Sequence, residues 1–141
     1  METLGSRMGL ACTSGGALIY LQGELGTGKT TLVRGLLRCL GHRGPVKSPT
    51  FTLVEPYDLG VRQVYHFDLY RVNKPEELEN IGLRDYFIPT ALCLVEWPER
   101  GAGLLPCADL SIQLFYAPNG RRACYEAHTT RGQAILSALA E

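Results

Sequence analysis

The sequence predicts an α/β fold, and three observations carry that prediction. The wholly apolar run Ala17-Leu18-Ile19-Tyr20-Leu21 reads as a buried strand. Directly after it, Gly23-Glu24-Leu25-Gly26-Thr27-Gly28-Lys29-Thr30 fits G-x-x-x-x-G-K-T, the phosphate-binding loop pattern. The stretch from Thr31 to Leu40 then carries apolar residues at helical spacing, and Gly41 stands where a glycine ends a helix. Strand, loop, helix and cap follow in the order a nucleotide-binding α/β unit requires. The expected architecture is the three-layer P-loop NTPase fold, a mixed and mostly parallel sheet with helices on its faces. At 141 residues the chain is read as one domain over 1–141.

The elements follow in turn. In the first dozen residues Leu4, Met8, Leu10 and Ala11 form a weak helical pattern interrupted by Gly5 and Gly9, and Thr13-Ser14-Gly15-Gly16 is a turn before the first strand. After the phosphate-loop helix, Gly44 to Thr50 contains Pro45 and Pro49 and is held extended. Thr50 to Glu55 reads as a strand ended by Pro56. Val61 to Asp68 reads as its antiparallel partner through a turn at Asp58-Leu59-Gly60. Asn73 is the expected N-cap of a short helix with Glu76 and Glu77 in its first turn, closed by Gly82; Asp85-Tyr86-Phe87 begins or caps another short segment. Ala91-Leu92-Cys93-Leu94-Val95 reads as the central strand, with Glu96 and Trp97 at its end. Leu110 to Tyr116 alternates, placing Leu110, Ile112, Leu114 and Tyr116 on one face. Asn119-Gly120 signals a hairpin returning through Arg121 to His128. Thr130 to Gln133 resembles a capping box opening a last helix.

Bulk properties narrow the function. The formal net charge is zero with no basic run, which argues against strong autonomous binding to nucleic acid. The five cysteines are odd in number, scattered and never spaced C-x-x-C. They read as reduced, mostly buried thiols of a cytosolic protein rather than a disulfide framework or a zinc site. There is neither a signal peptide nor an apolar stretch long enough to span a membrane.

The loop pattern carries its own chemistry. Glycines let successive backbone N–H groups turn toward phosphate oxygens, Lys29 supplies a point charge for the β- and γ-phosphates, and the Thr30 hydroxyl can ligate Mg²⁺. Such a site needs an acid at a strand end beside the loop, and two are available. Glu96 ends the most apolar strand and is otherwise a solvated strand-end acid. Asp68, in His66-Phe67-Asp68-Leu69-Tyr70-Arg71, is otherwise an ion-pair partner of Arg71. Ser48-Pro49-Thr50 is a switch-like segment facing a γ-phosphate, or a plain Pro-rich connector. Lys47 adds charge near the phosphates or is simply solvated. His66 reads as a packed strand histidine before it reads as a base. Trp97 packs over the site or fills core. Arg71, Arg84 and Arg100 are surface charges or partner contacts.

Five blocks occurring in order say more than the loop does. They are Gly23 to Thr31, Val46-Lys47-Ser48-Pro49-Thr50-Phe51-Thr52-Leu53-Val54-Glu55, His66 to Arg71, Pro75-Glu76-Glu77-Leu78-Glu79 and Leu94-Val95-Glu96-Trp97-Pro98-Glu99. Together they resemble the TsaE family, the bacterial ATPases of tRNA threonylcarbamoyladenosine (t6A) biosynthesis, over nearly the whole chain. The resemblance implies a small cytoplasmic P-loop ATPase that uses ATP and Mg²⁺ and assembles with TsaB and TsaD, meeting tRNA only through that complex and no membrane. In the family TsaD carries the transferase chemistry on adenosine 37 of tRNAs reading codons that begin with A, and the ATPase supports repeated turnover. Carried over residue by residue, Leu25, Gly26, Thr27, Gly28, Lys29, Thr30 and Thr31 hold the nucleotide together with Ser48, Thr50 and Asp68. Thr30 and Glu96 ligate Mg²⁺, and Lys29, Asp68 and Glu96 act in hydrolysis. The family's upstream threonine at the base would fall at or before Met1, with Thr3 displaced from its place. The stretch holding Arg121 lies near the nucleotide in the family.

Two further readings stay beside this one. A small-molecule kinase would use Asp68 as base, but the sequence offers neither an evident acceptor-binding region nor an Arg-rich lid. A nucleotide-gated binding module would change partner affinity with nucleotide state and would not turn over.

Overall fold

Strand β1 (Ala17–Gln22) sits inside the sheet because its side chains are apolar on both faces up to Leu21. The computed structural model describes residues 1–12, 15–60 and 62–140. On one side β1 pairs in parallel with β4 (Ala91–Glu96), all six of whose residues are buried; on the other it pairs in parallel with β5 (Leu110–Ala117). Strand β3 (Gln63–Asp68) lies parallel to β4. Two antiparallel edges finish the sheet, β2 (Val54–Asp58) on β3 and β6 (Gly120–Ala127) on β5, in the order β2-β3-β4-β1-β5-β6. This is the mixed, mostly parallel sheet expected.

Alternation along the central strands sorts the core into two halves. Ile19, Leu92 and Leu94 face α1 (Glu2–Ala11), α2 (Lys29–Cys39) and α3 (Thr130–Leu139), meeting Met8, Leu32, Leu36 and Ile135. Leu18, Phe67, Cys93 and Val95 face the opposite layer and meet Leu78 and Leu83. That third layer consists of short 3₁₀ turns, Pro75–Ile81, Leu83–Tyr86 and Pro98–Gly101. Proline at the start of the first and third of these turns and the left-handed Gly82 (φ 65°) between the first and second punctuate the segment too often for a longer helix.

Gly5 and Gly9, which weaken the helical pattern of α1, are where α1 meets α2. A Cβ on Gly5 would lie 2.0 Å from the Leu32 carbonyl oxygen, and one on Gly35 of α2 would lie 2.2 Å from that of Glu2. The two helices cross backbone to backbone. At the end of α2, His42 N–H donates to Leu37 O (2.9 Å) and Gly41 N–H to Arg38 O (3.1 Å), with Gly41 at φ 106°. This is the glycine-terminated cap expected there.

Several boundaries differ from expectation. Strand β2 begins at Val54 rather than Thr50, because residues 49–53 form a turn closed by Leu53 N–H to Pro49 O (2.8 Å). It also runs through Pro56, which an edge strand tolerates because no ladder partner is needed on its outer side. Its hairpin partner is described from Gln63; Val61 lies outside the described residues, as do Thr13 and Ser14 of the expected turn. Asn73 is no cap: the turn opens at Pro75, and the Glu77 carboxylate accepts the Asn73 backbone N–H (2.9 Å). Helix α3 is capped one residue earlier than expected, by Thr129, whose hydroxyl accepts Gly132 N–H (3.0 Å). Tyr116 is exposed while Leu110, Ile112 and Leu114 are buried. The cysteines are all free, but only Cys12 and Cys93 are buried, so the expectation of mostly buried thiols fails at Cys107 and Cys124, which lie on an exposed loop and an exposed edge strand.

Candidate functional site

The phosphate loop leaves β1 at Gln22 and enters α2 at Lys29, at the carboxyl edge of the parallel strands, where open α/β sheets bind ligands. Gly26 (φ 79°) and Gly28 (φ 107°) adopt left-handed backbone, which glycine takes without strain. The loop is braced from outside by the β5–β6 hairpin. The Tyr116 hydroxyl donates to Leu25 O, Arg121 donates to Gly26 O (3.3 Å), and the Arg121 guanidinium lies 4.6 Å from the Tyr116 ring centroid. Arg121, in the stretch that the resemblance puts near a nucleotide, therefore stands at the loop.

Lys29 is 5% exposed despite its charge. Its ammonium donates to Gly23 O (2.6 Å) and Glu24 O (2.9 Å) and lies 4.4 Å from the centroid of the Trp97 ring. Burial pushes its pKa below the usual lysine value, while the negative charges of Glu96, Asp68 and Glu99 pull it back up. Trp97 thus packs over the site, and it is held in left-handed backbone (φ 57°), uncommon for a bulky residue.

The two acids are neighbours. Asp68 and Glu96 are paired in register across β3 and β4, and both are almost completely buried. The Thr30 hydroxyl donates to Glu96 Oε2 (3.0 Å) and lies 3.3 Å from Oε1; His66 Nε2 lies 2.6 Å from Oε2. Asp68 has other partners. Its Oδ2 accepts the hydroxyls of Ser48 and Thr50 (the latter at 3.3 Å), and its Oδ1 accepts Tyr70 N–H (3.0 Å). The Ser48 and Thr50 hydroxyls lie 2.9 Å apart. Asp68 makes no ion pair with Arg71, whose guanidinium lies instead over the exposed Phe51 ring (4.2 Å to the centroid).

One cavity of about 260 Å³ joins these groups: Leu25, Gly26, Gly28, Lys29, Thr30, Thr31, Ser48, Thr50, Asp68 and Glu96 all line it. Of the residues carried over as holding the nucleotide or the metal or acting in hydrolysis, Thr27 alone is not in its lining. Its side chain is buried, with the hydroxyl donating to Glu24 O (2.8 Å). Two further residues line the cavity, Tyr70 and Trp97, with ring centroids 5.0 Å apart. Tyr70 was not singled out from the sequence, although its place two residues after Asp68 was a usable signal. Lys47, Arg84 and Arg100 are exposed and lie outside this lining.

A P-loop at the carboxyl edge of a mostly parallel sheet, with a hydroxyl from the first turn of its helix meeting an acid from the adjacent strand, defines a protein of the P-loop NTPase fold. The family model for "Threonylcarbamoyl adenosine biosynthesis protein TsaE" matches residues 1–124. The chain belongs to the TsaE family, whose members take part in t6A biosynthesis on tRNA. It is 51% identical over 122 residues to the tRNA threonylcarbamoyladenosine biosynthesis protein TsaE of Haemophilus influenzae, covering 86% of this chain and 77% of that one. To the protein of the same name from Bacillus subtilis it is 40% identical over 107 residues, covering 76% and 66%. The crystal structure of Bacillus subtilis YdiB superposes with a TM-score of 0.80 at 29% identity, covering 99% of this chain and 86% of that one. No helix among the described residues is long and apolar enough to cross a membrane.

Proposed function

We propose that this protein is a Mg²⁺-dependent ATPase that acts with TsaB and TsaD in forming the threonylcarbamoyl group on adenosine 37 of tRNAs reading codons that begin with A. The observation that carries the catalytic part is the meeting of Thr30 and Glu96, 3.0 Å apart, beside the buried ammonium of Lys29. Family membership supports the pathway and the partners.

The donor set suits the metal. Thr30 and Glu96 offer only oxygen, which hard cations take, and a pair of protein ligands is what Mg²⁺ uses when phosphate oxygens and water complete its octahedron. Bound there, the ion would neutralise charge building on the β- and γ-phosphoryl oxygens. The remaining work belongs to the chain. The loop amides and Lys29 receive the phosphates, which requires the ammonium to exchange the Gly23 and Glu24 carbonyls for phosphate oxygens. Asp68 sits at the cavity wall as the acid able to orient an attacking water. Its bonds to Ser48 and Thr50 tie the switch-like segment to the same carboxylate, so a phosphate arriving there competes for those hydroxyls. With net charge zero, the protein is suited to meeting tRNA through partners rather than by its own field.

The test is phosphate release from ATP with Mg²⁺, for the chain alone and with TsaB and TsaD from the same source. Stimulation by the pair, lost in Lys29→Ala and Glu96→Ala, supports the proposal. Hydrolysis unchanged by the pair removes the partnership. ATP-dependent phosphate transfer to a metabolite replaces the ATPase with a kinase. Bound nucleotide without any hydrolysis replaces it with a gated binding module.

A further inference from the structure

We propose that His66 is a positioning residue for Glu96, and through Glu96 for the divalent cation assigned above to Thr30 and Glu96; the inference rests on that assignment. His66 is fully buried in β3, two residues before Asp68 and on the same face of the sheet. Across the ladder its register partner is Leu94, two residues before Glu96. The imidazole therefore sits one pleat below the carboxylate, on the α2 side of the sheet, and Nε2 reaches Oε2 at 2.6 Å. An ionised carboxylate only accepts, so Nε2 carries the hydrogen. Nδ1 is buried with no hydrogen-bond partner among the described residues, so within them the ring's one polar engagement is with Glu96. A buried polar atom left unpaired costs about 1–3 kcal/mol, which an apolar residue of similar size would avoid. The strand position is thus poorly explained by packing alone.

The consequence falls on Glu96. Its partners are Thr30 and His66; Oε2 takes the two short contacts and Oε1 only the 3.3 Å one. Oε1 keeps lone pairs for a cation, while Oε2 is anchored from the protein side. Thr30 is itself assigned to the ion, its oxygen ligating through a lone pair while its O–H donates to Oε2. His66, whose Nε2 proton is spent on Oε2, anchors the carboxylate without serving the ion. Groups that orient a ligating carboxylate typically change metal affinity about 10- to 100-fold when removed.

The experiment measures Mn²⁺ binding to the full chain in the presence of ADP by electron paramagnetic resonance, for wild type, His66→Phe and His66→Gln. Loss of the donor in His66→Phe is expected to weaken Mn²⁺ about 10- to 100-fold, with ADP affinity in EDTA unchanged. His66→Gln, which returns an N–H near the place of Nε2, is expected to recover most of the loss. Wild-type Mn²⁺ affinity in His66→Phe, or a His66→Gln variant as weak as His66→Phe, overturns the proposal while leaving the metal assignment standing. Absence of ADP-dependent Mn²⁺ binding in wild type overturns the metal assignment and this inference together. Should His66→Phe not fold, ring ¹⁵N resonances of the wild type decide. Mg²⁺ added to the ADP complex must move Nε2 of His66, and an unmoved resonance overturns the proposal.

Discussion

Asp68 and Glu96 stand side by side in register on β3 and β4, yet their carboxylates hold different parts of the site: Glu96 takes Thr30 and His66, and Asp68 takes Ser48 and Thr50. A parallel pair places register partners on one face, so two acids at two strand ends arrive at one cavity wall. Their division of labour comes from the loops that reach them. The first turn of α2 brings Thr30 to one, and the Pro-held segment after α2 brings Ser48 and Thr50 to the other.

Glu96→Gln tests the first half. It keeps size and an oxygen for Thr30 but removes the charge proposed to hold Mg²⁺. Partner-stimulated phosphate release is expected to fall about 10²- to 10³-fold, the usual scale for losing one preorganised electrostatic group. ADP binding in EDTA should change little, because the phosphate loop and Lys29 are untouched. Equal losses of metal-free ADP binding and of turnover would assign Glu96 a structural role instead.

The Ser48 and Thr50 hydroxyls test the second half. The double variant Ser48→Ala/Thr50→Ala leaves buried Asp68 Oδ2 without these partners, and among the described residues only Tyr70 N–H on Oδ1 remains. A cost of about 1–3 kcal/mol in urea unfolding is expected for the unpaired carboxylate oxygen. Amide exchange over residues 46–53 should accelerate more than exchange in β4. Unchanged exchange over that segment would mean that the prolines alone hold it.

The sequence made the site more legible than the edges of the fold. Gly23 to Thr30 states its backbone requirement directly, through glycines at positive φ, and Ala91 to Val95 admits only a strand covered on both faces. Glu96 and Asp68 were readable as strand-end acids; that Asp68 binds two hydroxyls instead of Arg71 was not, because that choice depends on where residues 48–50 come to rest. Strand β2 was misplaced for a similar reason. Its start is decided by the turn at Pro49–Leu53, and Pro56 is allowed only because β2 is an edge, a property of the whole sheet order. Tyr116, near the end of its strand, is exposed where its spacing predicted burial, and its hydroxyl meets the phosphate loop.

Helix α1 shows local propensity losing to packing, and it yields a prediction about Gly5. Isolated helix propensity counts glycine as a loss of about 1 kcal/mol relative to alanine. Here the added Cβ would stand 2.0 Å from Leu32 O, a backbone atom that cannot swing aside. Gly5→Ala is therefore expected to destabilise by about 1–3 kcal/mol or more, read by urea denaturation. Gly41→Ala is the contrasting case, with nothing among the described residues within 4 Å of its Cβ but a φ of 106°. Its cost, about 1–2 kcal/mol, is purely conformational. Stabilisation in Gly5→Ala would show that α1 does not cross α2 this closely.

The thiols give a pH dependence with a definite sign. Burial pushes Cys12 up to about 11 and Cys93 up to about 12, from an ordinary value of 9.0. Each therefore keeps its proton in the folded chain over a range where the unfolded chain has lost it. Below pH 9 the two thiols add no pH dependence; between pH 9 and 11 folding stability falls, because ionisation favours the unfolded state. At pH 10.5 each withdraws on the order of 2 kcal/mol, at about 1.4 kcal/mol per pKa unit. Comparing urea midpoints at pH 7.5 and 10.5 under reducing conditions should show the loss, and Cys12→Ala/Cys93→Ala should flatten it. Lys29, depressed by burial, acts in the opposite sense, and Tyr20, raised to about 12, adds to the loss above pH 10. Both are shared by the two chains and cancel in the comparison. The same burial predicts reactivity. At pH 8 iodoacetamide should label exposed Cys107 and Cys124 in the native protein and reach Cys12 and Cys93 only after unfolding. Native labelling of Cys93 at the rate of Cys107 would show that β4 opens to solvent, and with it the strand that carries Glu96.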